Sequence, residues 1–349
     1  MTQPLKVGIV GYGFATKTFH APLIHSVCGL ELAAISSSNP EKVAADLPEI
    51  DVAPSPQALF ARPDIDLVVI PTPNATHAPL AAEALAAGKH VVVDKPFTLD
   101  APEARDLLRR AEQAGRVLSV FHNRRWDADF LTVKALIASE QLGRLTHFES
   151  HFDRYRPDVP DRWRDSADKG GGLWYDLGSH LLDQSLQLFG PPQTIALDIA
   201  HQREKARAVD WFHAVLHYDQ LRVILHASAL VPAPGPRFVL HGTRGSFVKF
   251  GLDPQEDALK TGREPGSPDW GIDSLPGTLT TACSDGLASR ILDGEAGDYA
   301  RYYVGIRDAI LTNAPNPVPA TEALQVMRLI ELGLTSAEEG RTLEVTLLN

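Results

Sequence analysis

The sequence holds only two cysteines, Cys28 and Cys283, in unrelated contexts. Two isolated thiols cannot build a disulfide framework, a Cys-x-x-Cys motif or a zinc knuckle, so a reducing compartment is expected. No basic stretch followed by a long apolar core stands at the start, and a strand-like run begins at Leu5. No apolar run reaches the roughly 18 residues that span a bilayer. An excess of basic residues is missing too: 33 Lys and Arg against 44 Asp and Glu give a formal net charge of −11. That balance disfavours nucleic acid or an anionic membrane as partner. A cytoplasmic protein is the expectation. What is present is ordinary: 44% hydrophobic and 22% charged residues over 349 positions, a length that suggests two domains.

The first part alternates short apolar runs with helix-like segments, the rhythm of βαβ crossovers and a parallel sheet. Leu5–Val10 is followed by Gly11-Tyr12-Gly13-Phe14-Ala15-Thr16. The first glycine permits a tight turn and the second lets backbone approach a pyrophosphate at a helix start. Thr16 replaces the third glycine of the usual fingerprint. A second run ends in Ser36-Ser37-Ser38-Asn39, where an NAD-selecting fold places an acid on the ribose 2′-hydroxyl. Hydroxyls without an acid favour NADP, with NAD as the alternative; the same residues also read as a helix N-cap before Pro40.

A third run leads into Pro71-Thr72-Pro73-Asn74-Ala75-Thr76-His77, and a fourth is Val91-Val92-Val93 followed by Asp94-Lys95-Pro96. Consecutive β-branched residues read as a strand buried on both faces, and Pro96 ends it. Lys95 is thereby expected at the carboxyl edge of a parallel sheet, where ligands bind in open α/β folds. A last run ends in His122-Asn123-Arg124-Arg125-Trp126.

Beyond residue 125 the rhythm becomes runs of strands and then helices, an α+β pattern with a largely antiparallel sheet. The fold class is therefore α/β, with a dinucleotide-binding domain at 1–123 and a substrate and oligomerisation domain at 124–349. Strands are expected at 194–200, 209–218, 221–229, 237–241, 246–250 and 343–347, and residues 251–298 show little periodicity. Along Trp211-Phe212-His213-Ala214-Val215-Leu216-His217-Tyr218 neither face is charged. A one-sided sheet should alternate apolar with polar, so a second cover, and with it a homodimer or homotetramer, is expected.

Gly170-Gly171-Gly172 cannot be mid-helix, so a helix starts after them and sets Asp176 and His180 one turn apart. A carboxylate and an imidazole on one face suit proton transfer. Asp183 extends that face, but no third ligand at recognisable spacing completes a metal site there, and none is expected. Arg154, Arg156, Arg162 and Arg164 alternate with Asp153, Asp158, Asp161 and Asp165, which reads either as a mutually paired solvated segment or as a source of substrate contacts.

The dinucleotide turn, the strand ending in Lys95-Pro96 and the glycine-run helix with Asp176 and His180 together resemble the glucose–fructose oxidoreductase/inositol dehydrogenase (Gfo/Idh/MocA) family over the whole chain. Gly11-Tyr12-Gly13, Lys17–Leu23, Ser119–Asp127, Tyr155-Arg156-Pro157 and Asp253–Asp257 look most like its bacterial NADP-dependent scyllo-inositol dehydrogenases, and they also resemble related enterobacterial oxidoreductases without an assigned substrate. The family's usual Glu-Lys-Pro is Asp94-Lys95-Pro96 here. The resemblance implies a hydride-transferring polyol or sugar dehydrogenase with Lys95, Asp176 and His180 as catalytic group. It places Gly11, Tyr12, Gly13, Phe14, Ser36, Ser37, Pro73, Asn74, His77, Asp94, Lys95, Asn123 and Arg124 near the cofactor. Arg154, Tyr155, Arg162 and Trp163, with Asp176 and His180, are the expected substrate contacts. The competing class is a cofactor-sensing regulator on the same fold. Such a protein would be expected to lose Lys95 or His180, and this chain keeps both.

Overall fold

In the computed structural model, which describes residues 3–161 and 165–346, the first apolar runs pair as a six-stranded parallel sheet. Its strands are β1 (Leu5–Val10), β2 (Leu30–Ser36), β3 (Asp51–Ala53), β4 (Leu67–Ile70), β5 (His90–Val93) and β6 (Leu118–Val120), in the order β3-β2-β1-β4-β5-β6. Parallel neighbours cannot be joined by a tight turn. The crossovers are α1 (Ala21–Ser26), α2 (Pro40–Asp46), α3 (Pro56–Phe60), α4 (His77–Ala86) and α5 (Ala101–Ala114). Three of these helices start on a side-chain cap with Pro in the first turn: Asn39, Ser55 and Asp100 each accept a backbone N–H. Val68, Val69, Ile70, Val91, Val92 and Val93 are fully buried, as a sheet covered on both faces requires.

The second sheet has nine strands: β7 (Leu145–His151), β8 (Thr194–Ala200), β9 (Trp211–His217), β10 (Arg222–Ser228), β11 (Phe238–Gly242), β12 (Gly245–Lys249), β13 (Gly277–Cys283), β14 (Gly286–Leu292) and β15 (Leu343–Glu344). Their order is β14-β13-β12-β11-β7-β10-β9-β8-β15, antiparallel except for the pair β7–β10. The remaining helices are α6 (Ala128–Ala138), α7 (Ser179–Phe189), α8 (Gln255–Lys260), α9 (Ala300–Thr312) and α10 (Ala320–Glu339). One sheet face is core: Phe212, Ala214 and Leu216 of β9 lie fully buried beside Val223, Leu225 and Ala227 of β10. Trp211, His213, Val215 and His217 alternate with them and are only half-buried.

The chain packs as two units. The first comprises Met1–Trp126, Pro254–Trp270 and Asp298–Leu324, and the second Asp127–Asp253, Gly271–Gly297 and Gln325–Asn349. The contiguous division into 1–123 and 124–349 expected from the sequence therefore differs from the packing, because two later segments return to the first unit. Residues 251–298, which lack periodicity, contain α8 and the hairpin β13–β14. Strand β14 is exposed along nearly its whole length, so no burial constrained its residues to alternate. The closing strand is shorter than expected, Leu343–Glu344, and residue 347 lies outside the described residues.

Candidate active site

The first unit by itself carries candidate cofactor residues at its strand ends, beginning at the turn after β1. Gly11 has φ of 91°, and its N–H donates to the Ser36 carbonyl at 2.6 Å, tying the turn to the end of β2. A Cβ on Gly13 would meet nothing within 4 Å, so its backbone is open to a close approach. Thr16, in place of the third glycine, donates its hydroxyl to the Gly11 carbonyl at 2.8 Å. That bond fixes the turn from the helix side. The helical run opens with a π-type turn, Thr16–His20.

Tyr12 is buried, and its hydroxyl donates to Asp46 at 3.1 Å; burial, with Asp46 beside it, pushes the phenol up to about 12. Lys17 sits 5.5 Å and Lys42 6.0 Å from the centre of the Tyr12 ring, and Lys17 also pairs with Asp46 at 2.5 Å. These two cations near the end of β2 were not read from the sequence, because only folding places residues 17 and 42 around one ring. Phe14 is 56% exposed and presents its ring to solvent. Ser36 is buried, while the Ser37 hydroxyl donates to the Asn39 carbonyl and accepts the Asn39 N–H. Asn39 caps α2, so the capping role of this segment is realised.

Lys95 stands half-buried just past the end of β5, before a cis Lys95–Pro96 peptide. Its N–H donates to Asp94 Oδ1 at 2.7 Å. The Asp94 carboxyl is buried, which by itself would raise its pKa; the His20 ring, with Nε2 3.9 Å away, and the charge on Lys95 outweigh that and hold it at about 2. His77 is fully buried with Nδ1 2.9 Å from the Pro96 carbonyl and Nε2 2.8 Å from the Thr72 carbonyl. Burial holds its pKa below the ordinary imidazole range although Asp94 and those carbonyls pull the other way. With both nitrogens on backbone, His77 ties the turn after β4 to the turn after β5. In the turn after β4, Asn74 is buried and Pro73 exposed, and Asn123 is buried in the turn after β6. Arg124 is buried, and its guanidinium donates to Glu256 of α8 at 2.5 Å.

The second unit holds a cavity of its own, lined by Arg154, Arg156, Asp165, Gly172, Leu173, Asp176, Leu177, Arg203, Val209, Ser228 and Ala229. Asp176 reaches it from a π-type turn, Trp174–Gly178, that precedes α7. The sequence suggested an ordinary helical turn from Asp176 to His180. Instead a widened turn carries the aspartate and hands over to α7 at Ser179, and such turns recur at functional sites. A Cβ on Gly178 would lie 2.6 Å from the Trp174 ring, so only glycine lets this turn close on the indole. Trp174 in turn donates its Nε1–H to the Ile330 carbonyl at 3.0 Å. His180 is 4% exposed in the first turn of α7.

Arg203 was missed in the sequence because it lies in a polar connection between β8 and β9. It is buried, pairs with Asp165 and Asp210 at 3.0 Å each, and donates to the Asp158 carbonyl at 3.0 Å. It thereby pins the arginine-rich segment to the cavity wall. Arg154 lines the cavity with its guanidinium 4.6 Å from the centre of the Phe152 ring. Tyr155 is 59% exposed and does not line the cavity. Arg162 and Trp163, both expected at the substrate, and Arg164 lie outside the described residues.

Residues 5–122 match the family model of an oxidoreductase family described as an NAD-binding Rossmann fold, and residues 134–347 match that family's C-terminal alpha/beta domain. The chain is 54% identical over 343 residues to the uncharacterized oxidoreductase YdgJ of Escherichia coli, covering 98% of this chain and 99% of that one. It is 41% identical over 341 residues to the scyllo-inositol 2-dehydrogenase (NADP(+)) IolW of Bacillus subtilis, covering 97% and 95%. Among solved structures, the candidate oxidoreductase YPO2259 of Yersinia pestis superposes with a TM-score of 0.96 at 55% identity, covering 100% of this chain and 99% of that one.

Proposed function

The chain belongs to the Gfo/Idh/MocA oxidoreductase family, and from that premise we propose that it moves a hydride between NADP and a secondary alcohol or ketone of a polyol or sugar, scyllo-inositol being the model substrate. The observation that carries this reading is Lys95 at the carboxyl edge of a buried parallel strand, its backbone anchored by the Asp94 carboxylate. Gly11, with its positive φ, and the open backbone of Gly13 fit a pyrophosphate at the turn after β1. When bound, the nicotinamide supplies the hydride acceptor or donor.

In this reading Lys95, Asp176 and His180 act together. Lys95 stabilises the developing alkoxide, His180 takes the hydroxyl proton, and Asp176 holds the substrate hydroxyl or the imidazole. Arg154 and Arg156, in the cavity with Asp176, offer donors to further substrate oxygens. NADP is supported by the missing acid at the end of β2, by Lys17 and Lys42 around Tyr12, and by the NADP(+) named for the Bacillus subtilis relative. Cytoplasmic residence and a homo-oligomer joined through the open face of the nine-stranded sheet complete the reading. Two exposed free cysteines and the half-buried row Trp211, His213, Val215 and His217 support them. No helix among the described residues is long and apolar enough to cross a membrane.

The test is steady-state turnover on inositols, aldoses and keto-sugars with each cofactor, for the wild type, Lys95→Ala and His180→Ala. Each variant should lose at least about 10²-fold in kcat, the low end for an acid–base group, with unchanged circular dichroism. Near wild-type turnover in either refutes the assignment.

A further inference from the structure

We propose that the open face of the nine-stranded sheet carries a transition-metal site formed by His151, Asp153 and His226, with the preference of a zinc-class divalent cation. The inference is independent of the hydride-transfer reading and of the cavity around Asp176. Register creates the cluster. β7 and β10 run parallel with His226 opposite His151, and Asp153 follows His151 by two residues, which returns its side chain to the same face.

One ligand atom from each of the three residues lies within 4.8 Å of the others. Asp153 Oδ1 is 3.5 Å from His226 Nε2, and Asp153 Oδ2 is 3.8 Å from His151 Nδ1. Bonds of roughly 2.0–2.2 Å at tetrahedral angles set neighbouring ligand atoms about 3.4 Å apart. Each imidazole thus already stands near that spacing from one of the two Asp153 oxygens, and the three ligand atoms lie within 4.8 Å of one another.

The surroundings are those of a supported site. The far nitrogen of His151, Nε2, lies 2.7 Å from Glu149 Oε2, the carboxylate–histidine arrangement that orients a metal-binding ring. Glu149 is itself held by His147 at 2.6 Å, and Asp153 Oδ1 accepts the Ser228 N–H at 3.0 Å. All three ligands are half-buried. Their next neighbours are aromatic or imidazole: the rings of His213 and Trp211 lie 5.6 and 5.5 Å from that of His226.

Two imidazoles and one carboxylate suit zinc and its neighbours Co²⁺ and Ni²⁺, whereas magnesium and calcium take oxygen ligands. Three protein ligands leave a fourth position for water or another donor. An ion here would tie the end of β7 to β10 just before Arg154 and Ser228 enter the cavity wall. The competing occupant is a proton, since Glu149 and Asp153 flank His151 and could hold it as an imidazolium.

The experiment uses the tag-free full chain stripped with a chelator and titrated with Co²⁺, followed by visible absorption and then by displacement with Zn²⁺. The expected result is one Co²⁺ per chain, with the intense bands of a four-coordinate site, displaced by Zn²⁺. Asp153→Asn, which keeps the shape and an acceptor for Ser228, should weaken binding by at least about 10-fold, and so should His226→Ala. His25→Ala, exposed on α1 and outside the cluster, should leave it unchanged. No saturable Co²⁺ signal, or full binding retained in Asp153→Asn and His226→Ala, overturns the proposal and leaves an ion-pair network.

Discussion

Replacing Gly172 by Ala should destabilise the second unit far more than an equivalent change where the backbone is equally strained but space is open. Gly172 has φ of 82°, and an added Cβ would lie 2.8 Å from the Val209 carbonyl oxygen and 2.9 Å from its nitrogen. The same carbonyl accepts the Leu173 N–H at 2.7 Å, the bond that straps the start of the Asp176 turn to the chain entering β9. Left-handed backbone costs an Ala about 1–2 kcal/mol. Crowding against backbone that cannot rotate away adds about 1–3 kcal/mol, and loosening the strap about 1 kcal/mol more. Gly340 is the control: its φ is 62°, it belongs to the same unit, and a Cβ there would meet nothing within 4 Å. At about 2–4 °C per kcal/mol, Gly172→Ala should lower the melting temperature by roughly 6–24 °C and Gly340→Ala by roughly 2–8 °C. Thermal unfolding by circular dichroism measures both. Equal shifts would show that the close approach to Val209 contributes nothing and would refute the reasoning.

Asp94 gives a pH signature. Its folded pKa of about 2 lies below the unfolded value, so its contribution is present above about pH 4 and lost as pH falls through 2. The shift corresponds to about 2 kcal/mol. Asp94→Asn should therefore be less stable at neutral pH and should converge on the wild type in denaturant titrations toward pH 2; parallel curves would contradict it. The end of β2 should favour NADP, so Lys17→Ala with Lys42→Ala is expected to raise KM for NADP at least about 10-fold while leaving that for NAD nearly unchanged; equal effects on both cofactors would remove the lysines from 2′-phosphate recognition. The half-buried row on β9 and its neighbour Ile224 should be covered by a second protomer. Light scattering during size exclusion at neutral pH should return a multimer, and Val215→Glu a monomer; a monomeric wild type would leave that face uncovered.

Local chemistry was readable from the chain alone. The βαβ rhythm, the glycine turn, the capped helices and the strand ending at Lys95 each rest on neighbours within a few residues, where steric limits and burial periodicity act directly. The two-faced row from Trp211 to His217 belongs here too, because alternation along one strand needs no knowledge of its partners. Distant pairing was decided only by the tertiary structure. Arg203 becomes part of the cavity wall through Asp165 and Asp210, contacts that no spacing announces. Lys17 and Lys42 meet over Tyr12 because β1 and β2 are neighbours in the sheet. The π-type turn under Asp176 depends on Gly178 closing against Trp174, whose indole is fixed by α10. The hairpin β13–β14 left no periodic trace because its outer strand buries almost nothing. His151 and His226, 75 positions apart by 226 − 151, face each other only because β7 and β10 pair in parallel, and register between distant strands is set by the packed face they share rather than by either strand's own sequence.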